Sequence, residues 1–274
     1  MTESLARRHA VPLFLLRRFA DTSGRLMAER RDRSRRLALS VTEAAEGAGL
    51  YESGPALAAL ATVVEARAAR AIEALVGGAF PPPADDRAHL AVFIALQLVL
   101  GHGHRDAVAR TAGLLNQVIV TSLEEALESD ATEAGEGEGE PDEAEHGAPM
   151  TSTLTRVPAM ARLVAARTWQ LVRFPGRQLL TGDTPVVLWR RPGTSKPYQH
   201  GLAAADEARF PLDPAHALVV ARTAPAGEVI RSLEARHARA LNRTVAESAH
   251  TWMYYHPESD PLEAVELARP ADPD

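Results

Sequence analysis

The sequence predicts an α+β protein, predominantly helical, with a small sheet of short strands scattered along the chain. Three observations predict it. Long stretches with apolar residues at helical spacing dominate the first 127 residues. Short β-rich runs fall in both halves of the chain, too few in either half for a sheet of its own. Between the halves, residues 128–150 are rich in Glu, Gly, Ala and Asp and carry no periodic apolar residue. Such a segment cannot bury enough surface to offset the entropy of ordering it. The expected organisation is a single domain, 1–274, interrupted by a flexible, disordered acidic insertion at about 128–150.

The elements follow in order. Residues 13–19 form a short amphipathic helix, and Asp21-Thr-Ser-Gly24 is a turn leading to a strand near 25–29. Ser40-Val-Thr-Glu43 has the spacing of a capping box, in which the hydroxyl and the carboxylate each bond the other residue's backbone N–H, so a helix opens there. A longer helix starts at Ser53-Gly-Pro55, places Leu57, Leu60, Val64, Ala68, Ile72 and Leu75 on one face, and ends at Gly77-Gly78. Asp85-Asp86 precedes an all-round apolar helix over 88–100, which belongs at the centre of the core. A further helix is expected over 105–128. Past the acidic segment, 153–172 reads as a helix with Pro158 in its first turn. Residues 177–180, 186–189, 218–220 and 251–255 read as short strands, and 229–246 as a helix.

Composition narrows the function classes. The chain has 274 residues, 46% of them hydrophobic and 24% charged, an ordinary globular balance. It contains no cysteine, which removes disulfides, thiolate metal sites and a cysteine nucleophile, and fits a cytoplasmic location. The net charge of −6 is unevenly spread. Residues 124–145 hold eleven acids and no Lys or Arg, whereas residues 7–36 hold ten arginines against Asp21, Glu29 and Asp32. A basic element this dense, including Arg7, Arg8, Arg17, Arg18, Arg30, Arg31, Arg33, Arg35 and Arg36, can contact nucleic acid or another polyanion. No apolar run approaches the ~20 residues that span a bilayer, so no membrane partner is expected.

Familiar catalytic signatures are missing. There is no phosphate-binding loop, no nucleophile elbow and no His-Glu-x-x-His zinc motif. His102 and His104 with His89 would supply three imidazoles for a metal, or form an ordinary exposed turn. Arg231 and His237 on one helix would suit phosphate binding and proton transfer, or a solvated helix face.

The run His9-Ala-Val-Pro-Leu-Phe-Leu-Leu-Arg-Arg-Phe-Ala-Asp21 resembles the opening of the uncharacterised bacterial "domain of unknown function" family numbered 4238. The resemblance continues in order through Leu50-Tyr51, Val64-Glu65 and Ala91 to Leu98, then Trp169-Gln-Leu171, Leu180-Thr-Gly-Asp-Thr-Pro-Val186 and Phe210-Pro-Leu-Asp-Pro214. It departs at Ala10, Leu13 and Gly182, where the family has an aromatic, a polar residue and Ser. The resemblance implies a shared fold and brings no established activity or cofactor.

The polar positions that match it are His9, Arg17, Glu65 and Asp183. Each has two readings. Asp183 caps a turn or acts as a base at a strand end; His9 anchors the N-terminal segment or transfers protons. Arg17 and Glu65 form a buried ion pair, or Arg17 clamps an anionic substrate. If all four converge, the expected function is a hydrolase or nuclease-like protein acting on phosphodiesters or a polyanionic substrate. The alternative is a non-catalytic module that binds nucleic acid or protein, with the acidic loop as an autoinhibitory competitor.

Overall fold

A computed structural model describes residues 6–9, 11–47, 50–53, 55–100, 156–193, 201–263, 265 and 267. The expected acidic insertion at 128–150 and the helix over 105–128 lie outside these residues. The described elements are β1 (Ala6–His9), α1 (Leu13–Phe19), β2 (Arg25–Arg30), β3 (Arg36–Ser40), α2 (Val41–Gly47), β4 (Leu50–Ser53), α3 (Pro55–Val76) and α4 (Ala84–Leu100). They continue with α5 (Val157–Ala166), β5 (Thr168–Arg173), β6 (Leu180–Gly182), β7 (Val187–Trp189) and α6 (Gly201–Ala204). The last five are β8 (Glu207–Asp213), β9 (His216–Ala221), β10 (Val229–Ser232), α7 (Ala235–Ser248) and β11 (Trp252–Tyr255).

The chain is a mixed α+β protein, not a predominantly helical one. A five-stranded sheet runs β10-β5-β9-β8-β7, a four-stranded sheet runs β3-β2-β11-β6, and β1 pairs with β4. Two misread segments account for much of the difference. The helix expected over 153–172 stops at Ala166, and Thr168–Arg173 is a strand bonded to β9 and β10. Its Trp169, Gln170, Leu171 and Val172 are all buried, so the apolar run has no free face whose spacing would separate strand from helix. The helix expected over 229–246 begins only at Ala235, because Val229–Ser232 pairs in parallel with β5. Strand β8 runs through Pro211, which is tolerated at a register shift between Pro211 and Asp213 where the ladder loses a bond.

Local signals otherwise act where expected. Ser40 and Glu43 form the capping box: Glu43 N–H donates to Ser40 Oγ at 3.2 Å, and Ser40 N–H donates to Glu43 Oε2 at 2.8 Å. Replacing Ser40 by Ala should cost about 1 kcal/mol and lower Tm by roughly 2–4 °C in a thermal melt; an unchanged melt would remove the cap from the account. Asp21 Oδ1 accepts from Ser23 N, Ser23 Oγ and Arg25 N, closing the turn between α1 and β2.

One apolar cluster joins residues on both sides of the undescribed middle, among them Leu15, Leu16, Phe19, Phe93, Trp169, Phe210 and Tyr254. Phe93 of α4 stacks 5.8 Å from Phe210 of β8 and 5.5 Å from Phe14 of α1. Burial of each such side chain contributes about 1.5–3 kcal/mol. This clamps α1 against the hairpin of β8 and β9. Among the described residues no helix is long and apolar enough to cross a membrane.

Candidate functional site

Helix α1 buries Leu15, Leu16 and Phe19 and thereby turns Arg18 toward β8. The Arg18 guanidinium donates through Nε to the Leu212 carbonyl at 2.9 Å, through Nη1 to Glu73 at 2.8 Å and through Nη2 to Asp213 at 3.4 Å. Asp213 ends β8, and a two-residue turn, Pro214 and Ala215, leads into β9 at His216. Oδ1 of Asp213 accepts from Ala215 N at 2.7 Å and His216 N at 2.8 Å, so the carboxylate builds the turn. The same carboxylate meets His216 Nδ1 at 2.9 and 3.0 Å. Burial pushes the Asp213 carboxyl up, but the hydrogen bonds from His216 and the Ala215 amide, with the charges of His216 and Arg18, outweigh it and hold the group below the ordinary value of 3.8. An ionised carboxylate only accepts, so Nδ1 of His216 is the donor in this contact, which in the uncharged form of the ring leaves Nε2 as a lone-pair acceptor.

A second imidazole approaches from the four-stranded sheet. His256 follows β11, is buried, and accepts the Glu258 backbone N–H at Nδ1, 3.2 Å away. That bond places the proton of the neutral ring on Nε2. Burial first, and then the nearby Arg177 charge, lower the His256 pKa below 6.5, against the opposing pull of Glu258 and Asp21. Gly176, with φ of 72°, makes the left-handed turn that delivers Arg177. Arg177 pairs with Glu258.

Arg18, Asp21, Arg177, Asp213, His216 and His256 line one cavity of about 400 Å³. Among the described residues, Nε2 of neither histidine has a hydrogen-bond partner. The cavity lining therefore includes an imidazole that can accept a proton, His216, one that can donate an N–H, His256, and the guanidiniums of Arg18 and Arg177.

Of the residues expected from sequence, Arg17, Glu65 and Asp183 lie elsewhere. His9 stands on β1 opposite Leu50; its imidazole is outside the described side chains. Arg17 is exposed on α1, and Glu65 is half-buried on α3. Asp183 is buried, and its two oxygens accept from the backbone N–H groups of His250, Thr251 and Trp252 at 2.7, 2.6 and 2.9 Å. None of Arg17, Glu65 and Asp183 lines the cavity. Of the proposed histidine ligands, His89 bonds Arg67 at 2.6 Å, while His102 and His104 lie outside the described residues. Arg231 is on β10, where it bonds Gln170, and so does not share a helix with His237.

The basic segment is largely engaged within the molecule. Arg30 pairs with Asp32, Arg31 donates to the Ala249 carbonyl, Arg33 pairs with Glu29, and Arg36 pairs with Asp260. Arg17 and Arg35 are exposed, whereas the side chains of Arg7 and Arg8 lie outside those described.

Asp213, His216 and His256 are not among the residues that the sequence singles out, although Asp213 lies in the family-like segment Phe210-Pro-Leu-Asp-Pro214. The readable signal was an Asp-Pro-x-His spacing, a turn-forming carboxylate followed three residues on by an imidazole. The family model "Protein of unknown function (DUF4238)" matches residues 7–259, a span that takes in every residue of the cavity. No curated protein and no solved structure matches the chain.

Proposed function

The chain belongs to the DUF4238 family, and we propose that its cavity hydrolyses phosphodiesters. The observation that carries the reading is the pair of imidazoles lining one cavity, His216 held through Nδ1 by Asp213 and His256 held through Nδ1 by the Glu258 amide, partners that favour complementary tautomers. In hydrolysis a water oxygen attacks phosphorus while His216 Nε2 takes its proton. The bond from phosphorus to the leaving alcohol breaks, and the departing oxygen takes a proton from solvent. His256, kept neutral by burial and by Arg177, donates its Nε2–H to an oxygen that gains charge in the transition state, as a neutral imidazole can without losing its proton. Arg177 supplies the charge for the phosphoryl oxygens. Its pair with Glu258 has both side chains more than half exposed, at 53% and 70%, and such pairs contribute only about 0–1 kcal/mol, so a phosphoryl group can draw the guanidinium away.

The test is hydrolysis of bis(p-nitrophenyl) phosphate by the full chain and by His216→Gln and His256→Gln, with circular dichroism to establish that the variants fold. Each variant is expected to lose on the order of 100-fold or more in kcat. Activity should rise with pH through the histidine range to a plateau. Burial and the Arg177 charge lower the His256 pKa, so that ring stays neutral across the plateau. A bell with its falling limb near neutrality would require an imidazolium acid and would overturn the role given to His256. Folded variants that keep wild-type rates, or a wild type without hydrolysis, would end the reading.

A further inference from the structure

We infer that the site continues into a second, larger cavity that receives the leaving alcohol, and that its substrates are small phosphodiesters of uncharged polar alcohols, not nucleic-acid chains. This rests on the phosphodiesterase reading above. The second cavity measures about 770 Å³, within the range of small-molecule sites, and shares Arg177 with the first. Glu258, the ion-pair partner of Arg177, lines it, and the backbone N–H of Glu258 is the group that sets the His256 tautomer. Arg177 and Glu258 thus stand at the boundary between the acid–base wall and the larger space. A phosphoryl group that takes Arg177 from the smaller cavity has the larger one next to it for its ester alcohol.

The wall of that space selects by chemistry. Gln178 Nε2 and Ser259 Oγ donate to the Pro175 and His256 carbonyls, which leaves the amide oxygen and the hydroxyl oxygen as acceptors, and Ala238 and Pro261 present apolar surface. Asn242 is already held in place: its Oδ1 accepts from Leu180 N, and its Nδ2 donates to the carbonyls of Gln178 and Pro261. It braces β6, α7 and the segment after β11 around the cavity. The charges are Glu258, Asp260 and Glu263 against Arg177 and Arg239. Asp260 is neutralised by Arg36 at 3.0 Å. Once Arg177 faces the phosphate, Glu258 and Glu263 remain against Arg239. A sugar or glycerol-type alcohol meets hydrogen-bonding and apolar groups there. The next phosphate of a nucleic-acid chain would meet a wall of its own sign, which disfavours the polymer.

The experiment compares kcat/KM of the full chain for p-nitrophenyl thymidine 5′-phosphate and for a ten-nucleotide single strand, in wild type, Glu263→Lys and His216→Gln. The small diester should be preferred by about 100-fold, the scale of one or two like-charge contacts. Glu263→Lys should raise kcat/KM for the oligonucleotide relative to that for the small diester roughly fivefold or more, as expected when a repulsion becomes an attraction. Equal rates for both wild-type substrates, or an unchanged ratio in Glu263→Lys, would overturn the inference. If His216→Gln still abolished both activities, the phosphodiesterase reading would survive that outcome. If wild type cleaved neither substrate, both would fall.

Discussion

Replacing Asp183 by Ala is expected to remove at least about 3 kcal/mol of stability, enough to populate the unfolded chain in a protein of ordinary stability. The carboxylate is 3% exposed and accepts three consecutive backbone N–H groups, those of His250, Thr251 and Trp252. These amides join the end of α7 to β11. The Asp183 N–H in turn donates to the Trp252 carbonyl at 3.0 Å, so one residue fastens the β6 end to the start of β11 from both directions. An alanine leaves three donors without their acceptor, and each unmade bond to a charged group costs about 1.5–3 kcal/mol. Water cannot easily replace it. The junction is tightly packed beside it: a Cβ on the neighbouring Gly182 would come 3.3 Å from Ala249 Cβ. Asp183→Asn should be nearly as harmful, because its amide NH₂ would point a donor at other donors. Urea denaturation of both variants checks this. A loss under about 1 kcal/mol for Asp183→Ala would show that the three bonds do not hold the junction, and would reopen Asp183 to a chemical role.

The same residue shows what the sequence could and could not convey. A carboxylate just past a strand and two residues before a proline reads as a local turn former or as a base at the strand end, and Asp183 instead holds distant backbone amides. That its amides lie 67 to 69 residues away was not legible. The capping box at Ser40 and the Gly77-Gly78 stop were read correctly, since each is closed within a few residues. The strands that escaped notice were those whose partners are distant or whose composition hides them. β3 carries Arg36 and exposed positions at a sheet edge, and β5 is buried on both faces. The cavity follows the same rule. Arg18 comes from α1, Asp213 and His216 from the β8–β9 turn, and His256 from the end of β11. No local pattern links these three places; the packing of Phe14, Phe93 and Phe210 brings the first two together.

Glu29→Ala is expected to cost about 1.5–3 kcal/mol, the range for losing a buried hydrogen bond to a charged group. Glu29 sits on β2 with 4% exposure, and its Oε2 accepts the Tyr255 hydroxyl at 2.6 Å. Burial and this bond both raise the Tyr255 pKa, so the phenol stays protonated as donor and the carboxylate stays the acceptor. On its other side Oε1 takes Arg33 Nε at 3.0 Å. Arg33 holds a left-handed backbone, φ 60°, in the turn from β2 to β3, a conformation unfavourable for a residue with a side chain. Its guanidinium also donates to the Leu262 and Val265 carbonyls, so the ion pair ties the turn to the segment beyond β11. Because the Arg33 side chain is 42% exposed, solvent screens that pair and its share is small. Most of the loss must come from the buried phenol and carboxylate. A double-mutant cycle separates the two. Tyr255→Phe removes the hydroxyl without opening a cavity, and its coupling to Glu29→Ala should reach about 1.5–3 kcal/mol. Arg33→Ala should couple to Glu29→Ala by less than about 1 kcal/mol. The reverse order, with Arg33 carrying the larger coupling, would mean that the turn and not the buried bond between β2 and β11 fixes this side of the four-stranded sheet.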